Sequence, residues 1–279
     1  MSRFRLIAIL VALGPLVGPG SALAHVSEST NWAGYAVHRQ GESFHQVVGV
    51  WREPTLTCRP GHQTFSSYWV GLGGFSSHSH ALEQTGTEVD CMPGGHVRSF
   101  AWFELVPAPS VRIGLRVPPG DMIEGAVTVS GRSVGVSIRD LTRHTSFSKV
   151  LRARVLDISA AEWIVEAPSD CFSDGQCMTL PLANFGSIGF QGALARSSAG
   201  HIGSISDARW QATKIRLIPD TTAFVAGHGG LGMGGQAAPS SLHSRGSAFS
   251  VSYSPFRARV ARATRGRLVA TGRLVHPGR

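Results

Sequence analysis

The chain has 279 residues, 42% of them hydrophobic and 15% charged, with a formal net charge of +9 and a pI near 10.4. That balance supports one folded domain of about 200–250 residues and excludes a disordered or collagen-like chain. The charge is uneven: subtracting Arg3, Arg5 and the seven arginines after residue 254 from +9 leaves residues 25–254 formally neutral, so the high pI describes a tail, able to touch nucleic acid or anionic envelope polymers without sequence preference, rather than a folded surface.

Taken in order, residues 1–24 have the makings of a signal peptide. Arg3 and Arg5 form a basic start, Leu6 to Val17 is apolar, and Ala22-Leu23-Ala24 is a small-x-small cleavage site. The apolar run is short for a bilayer, and no later stretch reaches the ~18–20 apolar residues of a membrane span. The expected product begins near His25 and is secreted, to the exterior or to a periplasm if the host has an outer membrane. Residues 25–30 read as a polar lead. Short apolar or alternating runs follow at 31–38, 44–52, 66–72, 80–90, 97–106, 111–117, 122–130, 132–140, 145–151, 160–167, 184–194, 209–218 and 246–253. Turn residues separate them, and long amphipathic helices are missing. This spacing predicts an all-β fold, an antiparallel sandwich or barrel of the jelly-roll or lectin-like kind, occupying residues 25–254 as a single domain. Residues 226–246 read as a Gly/Ser-rich loop, and 255–279 as a basic, disordered tail. Nothing in the sequence calls for a cofactor, a nucleic-acid partner or a particular oligomeric state.

Four cysteines, Cys58, Cys91, Cys171 and Cys177, suit an oxidising compartment. Three pairings are open. Cys58–Cys91 with Cys171–Cys177 is preferred, the second closing a short loop. A four-thiolate metal site is disfavoured because no C-x-x-C spacing occurs.

The stretch Ala161-Glu162-Trp163-Ile164-Val165-Glu166-Ala167-Pro168 is the most informative. It reads as a strand ended by Pro168, with Glu162, Ile164 and Glu166 on one face. A carboxylate there must be solvated, hydrogen-bonded or used chemically. The sequence holds no G-x-S-x-G, H-E-x-x-H or phosphate-binding G-x-x-x-x-G-K-[ST], and no paired Asp-Thr/Ser-Gly turns. Hydrolytic machinery would therefore be carboxylate-based. A glycosidase built on Glu162 and Glu166 is one reading, although four strand residues span about 13 Å against the about 5–9.5 Å that sugar hydrolysis requires. A carbohydrate-binding module without catalysis is another. A third is a copper monooxygenase using an exposed His25 amine with His78 or His80.

A better partner for the strand lies upstream, where Gln84 precedes Thr85-Gly86. In order along the chain stand Asn31-Trp32-Ala33-Gly34, Trp69-Val70-Gly71-Leu72, Leu82-Glu83-Gln84-Thr85-Gly86, Ala101-Trp102-Phe103-Glu104, Ala161 to Glu166, and Phe185-Gly186-Ser187-Ile188-Gly189-Phe190. In these six blocks the chain resembles the glutamic endopeptidases, or eqolisins. The resemblance implies a sandwich of two seven-stranded antiparallel sheets, polypeptide substrates and a catalytic dyad of Gln84 and Glu166. It places Trp69, Trp102 and Glu104 at the substrate cleft, and Glu88 where the family carries an Asp. Gly71 would leave room beside Trp69 for a bound backbone, whereas Trp32, Trp51, Trp163 and Trp210 read as core. In such a dyad the carboxylate takes a proton from water and returns it to the leaving amine, while the amide holds the water and the oxyanion. Activity would then favour low pH, near a Glu pKa of about 4.3 or somewhat above.

Three features differ from the family pattern. Gly73 stands where the family has an acid, and the interval from Trp69 to Gln84 is one residue longer. Only six residues separate Ala24 from Asn31, leaving no room for the N-terminal propeptide of fungal members. The formally neutral core suggests a milder acid optimum than that of acid-rich relatives.

Overall fold

A computed structural model describes residues 25–171, 177–219 and 234–256. The expected signal peptide and the tail beyond residue 256 lie outside the described residues. The regular structure comprises β1 (His25–Ser29), β2 (Trp32–His38), β3 (Phe44–Arg52), β4 (Thr64–Gly73), β5 (Leu82–Cys91), β6 (Val97–Val106), β7 (Val111–Ile113), β8 (Met122–Ser130) and β9 (Ser133–Asp140). It continues with β10 (Thr145–Arg152), β11 (Ala160–Glu166), β12 (Ser169–Cys171), β13 (Cys177–Thr179), β14 (Ser187–Ser197), β15 (Ile202–Ser204), β16 (Gln211–Leu217), β17 (Gly235–Pro239) and β18 (Phe249–Pro255). The fold is all-β: a single 3-10 turn, Ser244–Gly246, is the helical content among the described residues, and no helix there is long and apolar enough to cross a membrane.

Alternation of apolar and polar residues explains the outer strands. In β8, Ile123, Val127 and Val129 are buried while Thr128 and Ser130 face water. β14 alternates likewise until a register shift around Gly192 (φ 59°), where a residue with a Cβ would be strained. β4, β5 and β11 behave differently, being buried on nearly every residue. One of their faces meets the main core, and the other lies under a second, smaller apolar cluster.

Hydrogen-bonded neighbours run β10-β9-β8-β3-β14-β18-β17-β16-β2-β11-β4-β5-β6-β7, all antiparallel. β1 adds in parallel to β16 and β15 pairs with β14, while β12 and β13 form a separate ribbon. The path narrows between β16 and β17, where Leu217 and Ala237 are the one registered pair. Strands distant along it nevertheless touch. The Trp163 indole of β11 donates to the Val48 carbonyl of β3 at 2.7 Å, and Trp51 of β3 donates to Thr87 Oγ1 of β5 at 3.1 Å. Tyr35, Tyr68, Val70, Phe190 and Phe249 fill the core between them. Gly49 and Gly125 make that packing fit: an added Cβ would come within 2.7 Å of Trp163 Cδ1 or 2.8 Å of Trp51 Cη2.

Glu53 and Glu83 are among the carboxyls enclosed in this interior. Glu53 is 1% exposed, accepting hydrogen bonds from Thr87 Oγ1 (2.7 Å) and Trp51 Nε1 (3.2 Å). Burial pushes its pKa up to about 8 against those donors, and Glu83, fully buried, is likewise pushed to about 8 by burial.

The structure departs from the sequence reading in places. The polar lead is strand β1, because its backbone finds a ladder on β16. Residues 235–239, inside the Gly/Ser-rich segment, pair with β18. The strand expected over 111–117 stops at Ile113, short of Pro118-Pro119, which would supply no N–H to a ladder. Cys58 and Cys91 are bonded, with Cα atoms 5.4 Å apart, closing an interval of 33 residues that contributes about 3–4 kcal/mol in the chain-entropy account. Cys177 is also disulfide-bonded and stands opposite Cys171 in the backbone register of β12 and β13. The Cys171 side chain lies outside the described residues.

Candidate active site

Strand register brings the expected residues to one face of β2, β11, β4, β5 and β6. Glu166 stands opposite Ser67, which stands opposite Glu88 and then Phe100. One row along are Ile164, Trp69, Gly86 and Trp102. The next row holds Glu162, Gly71, Gln84 and Glu104. Gln84 and Glu166 therefore share a face with β4 between them, two strands and two rows apart. Between and around them Ala36, Trp69, Leu82, Trp102, Ile164 and Ile215 form the smaller apolar cluster, edged by Trp32, Phe75, Phe100 and Val106.

Glu166 is half-buried and held at both oxygens. Asn31 Nδ2 donates to Oε1 at 2.9 Å, and Trp69 Nε1 donates to Oε2 at 2.7 Å. Ser29 sets this up: its hydroxyl donates to Asn31 Oδ1 and accepts from the Trp32 N–H, shaping the turn between β1 and β2. Burial pushes the Glu166 pKa up to about 7, with the indole and amide donors pulling it down and the Glu104 carboxylate raising it. This lies well above the value near 4.3 expected from sequence, because the apolar cluster keeps water from most of the carboxyl.

Gln84 is 4% exposed. Its Nε2 donates to Glu104 Oε2 at 2.7 Å, which fixes the orientation of the amide. Its Oε1 is buried with no hydrogen-bond partner among the described residues. Glu104 is itself raised by burial and lowered by the Gln84 donor. Glu88 accepts from Ser67 Oγ at 3.2 Å and is pushed up to about 8, first by burial and then by Asp90. Glu162 shares the face but is fully buried, and neither of its oxygens has a partner among the described residues. Burial, with Asp157 and Glu83 nearby, raises it well above the ordinary carboxylate range.

Trp69 is fully buried, packed edge-on against Trp32 with ring centroids 5.0 Å apart. Gly71 does not leave open room beside it. A Cβ there would lie 3.0 Å from both Trp69 Cζ3 and Leu82 Cδ1, so the glycine lets the cluster close over the strand. Trp51, Trp163 and Trp210 are core as expected, whereas Trp32 lies at the edge of the site cluster.

Sequence reasoning gave no role to Asn31, Ser29 or Asp157. Asp157, in the loop before β11, occupies the space that a side chain at residue 73 would need: a Cβ on Gly73 (φ 83°) would fall 2.3 Å from its carbonyl oxygen. Its carboxylate accepts from the Ser79 hydroxyl and from the Gly74 N–H at 3.2 Å, tying down the loop that carries Phe75 onto His38. Burial alone would raise Asp157, but the donors from Ser159, Ser79 and Gly74 outweigh it and hold the carboxyl low. Asp157→Ala is expected to lower unfolding free energy by about 0.5–1.5 kcal/mol, read from the urea midpoint, since the half-buried Gly74 N–H and Ser79 hydroxyl each lose one acceptor.

His25, His78 and His80 form no metal cluster, and among the described residues no three His, Cys, Asp or Glu side chains do. The all-β frame and its carboxylate-lined face do not by themselves set the reaction; the family match does, and it defines a hydrolase acting on peptide bonds. The chain belongs to the peptidase A4 family, the eqolisins, whose family model matches residues 30–224. Among solved structures it resembles scytalido-glutamic peptidase bound to a peptide-based transition-state analog, at 24% identity and a TM-score of 0.63. It also resembles SCP-B, an eqolisin in complex with the tripeptide Ala-Ile-His, at 23% identity and a TM-score of 0.59. Each alignment covers 81% of this chain and 98% of the other. A search of curated proteins returns no match.

Proposed function

We propose that the protein is a secreted endopeptidase in which Glu166 and Gln84 act together on a water molecule, with Trp69, Trp102, Glu104 and Glu88 forming the substrate cleft. The observation that carries this reading is the amide of Gln84: one N–H is bound to Glu104, and its buried Oε1 is unpaired on the face that holds the Glu166 carboxylate. That oxygen suits a water proton, and the second N–H of the amide suits an oxyanion. Ionised Glu166 removes a proton as the water oxygen bonds to the peptide carbon. The tetrahedral oxyanion is held by Gln84, and Glu166–H then protonates the nitrogen as the C–N bond breaks. Flat-sheet geometry puts the two Cα atoms about 16 Å apart, so long side chains and sheet twist must bring their tips to one water.

The scaffold reads as two seven-stranded sheets packed face to face, meeting at the narrow β16–β17 joint. Residues 1–24 serve as signal peptide, 25–254 as the enzyme domain and 255–279 as a basic extension. The two similar structures, one holding a peptide-based transition-state analog and one a tripeptide, support polypeptide substrates.

The direct test is digestion of a denatured protein between about pH 3 and pH 7, comparing wild type with Gln84→Ala and Glu166→Gln, with and without pepstatin. Wild type is expected to cleave regardless of pepstatin, since no aspartate pair is available to it. Variants as active as wild type would remove the dyad. Because the base must be ionised, kcat/KM should rise with pH through the Glu166 pKa, which puts the optimum near or above pH 7 rather than in the acid range expected from sequence. Trp69→Phe removes a donor to the charged form, so the acid limb of that profile is expected to move to higher pH. A limb that stays in place or moves down would separate Trp69 from the titrating group.

A further inference from the structure

The strands that carry the cleft residues end at an edge with an unused cation. Arg112 of β7 stands directly opposite Trp102 of β6, on the face of Trp102 and Glu104. Its guanidinium lies over the Phe100 ring, 4.5 Å from the centroid, and Phe100 itself packs against the Trp69–Trp102 cluster. A second cation, Arg98, sits over the same ring at 5.5 Å. The two are not equivalent. Arg98 is bound to Asp90 at 2.7 Å, whereas Arg112 is exposed and makes no ion pair or hydrogen bond among the described residues.

The charged groups around Arg112 can be counted. On β6 they are Arg98 and Glu104, and on β5 Glu88 and Asp90. Asp90 is taken by Arg98, Glu104 by the Gln84 amide, and Glu88 accepts from Ser67 in a half-buried position. None of these acids makes an ion pair with Arg112, so its guanidinium stands at the rim without a salt-bridge partner among the described residues. Stacking on Phe100 restrains the guanidinium plane without using its five N–H donors, which remain directed outward for a planar, bidentate acceptor.

We propose that Arg112 is a specificity-determining residue that binds an Asp or Glu side chain of the polypeptide substrate near the scissile bond. The proposal rests on the cleft assignment above. Its test uses sets of peptides that differ by Glu or Gln at one position, walked across the residues flanking the cleaved bond. The readout is the Glu/Gln ratio of kcat/KM, which does not depend on the fraction of enzyme folded. At about pH 6, where a substrate Glu is ionised, wild type is expected to favour Glu over Gln by about five- to twenty-fold at one position, the scale of a partly shielded charge-assisted hydrogen bond. Arg112→Met should bring that ratio near one, and Arg112→Glu should turn the preference toward Lys. At about pH 3.5 the wild-type ratio should also collapse, because the substrate carboxyl is then largely protonated. Equal rates for Glu and Gln peptides at every position would overturn the proposal while leaving the peptidase reading intact, as would a Glu preference that survives in Arg112→Met. Failure of wild type to cleave any peptide would instead remove the cleft assignment and this proposal with it.

Discussion

Glu166→Gln is expected to reduce kcat for polypeptide hydrolysis by about a thousandfold or more, with KM little changed, in steady-state assays at weakly acidic pH. The substitution keeps the shape of the side chain, but its single amide oxygen can accept from only one of Asn31 and Trp69, and the other donor then faces an NH2. It removes the group that takes the water proton and returns it to the amine. General base and general acid contributions are each on the order of 10²–10⁴-fold, and here one carboxyl is assigned both. Gln84→Ala is expected to cost about 10²–10³-fold, the scale of a lost oxyanion donor at about 3–4 kcal/mol. If the two groups share one water, the double variant should be scarcely worse than Glu166→Gln alone. Multiplicative losses, or a Glu166→Gln enzyme retaining a tenth of wild-type kcat, would separate them. Glu104→Gln offers an internal check. It removes a like charge that raises Glu166, so the acid limb of kcat/KM should move to lower pH even where turnover falls.

Thermal stability is expected to be greatest near about pH 4.5 and to decline as pH rises toward about 8. The sign follows from the buried carboxyls. Glu53 and Glu83 have ordinary values of 4.5 and are pushed up to about 8 in the fold. Between those values the native state holds protons that the unfolded chain has released. Their contribution is therefore fully present below about 4.5 and is lost as pH rises through about 8. Each group contributes on the order of a few kcal/mol, enough to move the melting temperature by many degrees. Glu53→Gln should match wild type near pH 4.5 and exceed it near pH 8, because a neutral amide has no proton to lose. Melting curves at both pH values decide the matter. A wild type equally stable at both, or a Glu53→Gln protein with the wild-type slope, would mean these carboxyls are solvated and ionised. A fold that prefers acid and a base that titrates near neutrality pull in opposite directions, so stability should already be declining in the pH range where the base becomes ionised.

Much of this arrangement could be read before the structure. The strands at 44–52 and 122–130 were legible as period-2 patterns, because each has one wet face and one dry face. β11 was legible for a different reason: Ala161 to Glu166 combines β-branched and aromatic residues with two acids that a strand must place on one side. What could not be read was which acid would be held. Glu162 and Glu166 are equivalent by periodicity, yet one is unpartnered among the described residues while the other receives two donors. That difference depends on Asn31 and Trp69, which register supplies from β2's approach and from β4. β1 and β17 escaped notice because their backbone pairing, rather than their side chains, makes them strands. The elevation of Glu166 to about 7 was equally hidden, since it arises from Trp32, Trp69, Ile164 and Trp102 closing together from four strands.

The parallel strand β1 has a consequence for maturation. It ends at Ser29, whose hydroxyl steers Asn31 onto the Glu166 carboxylate, so this strand is the guy-rope of the proposed base. An aminopeptidase nibbling past residue 28 would leave the core intact yet slacken that group. Shelf life and working life of the enzyme would then part company at its amino end.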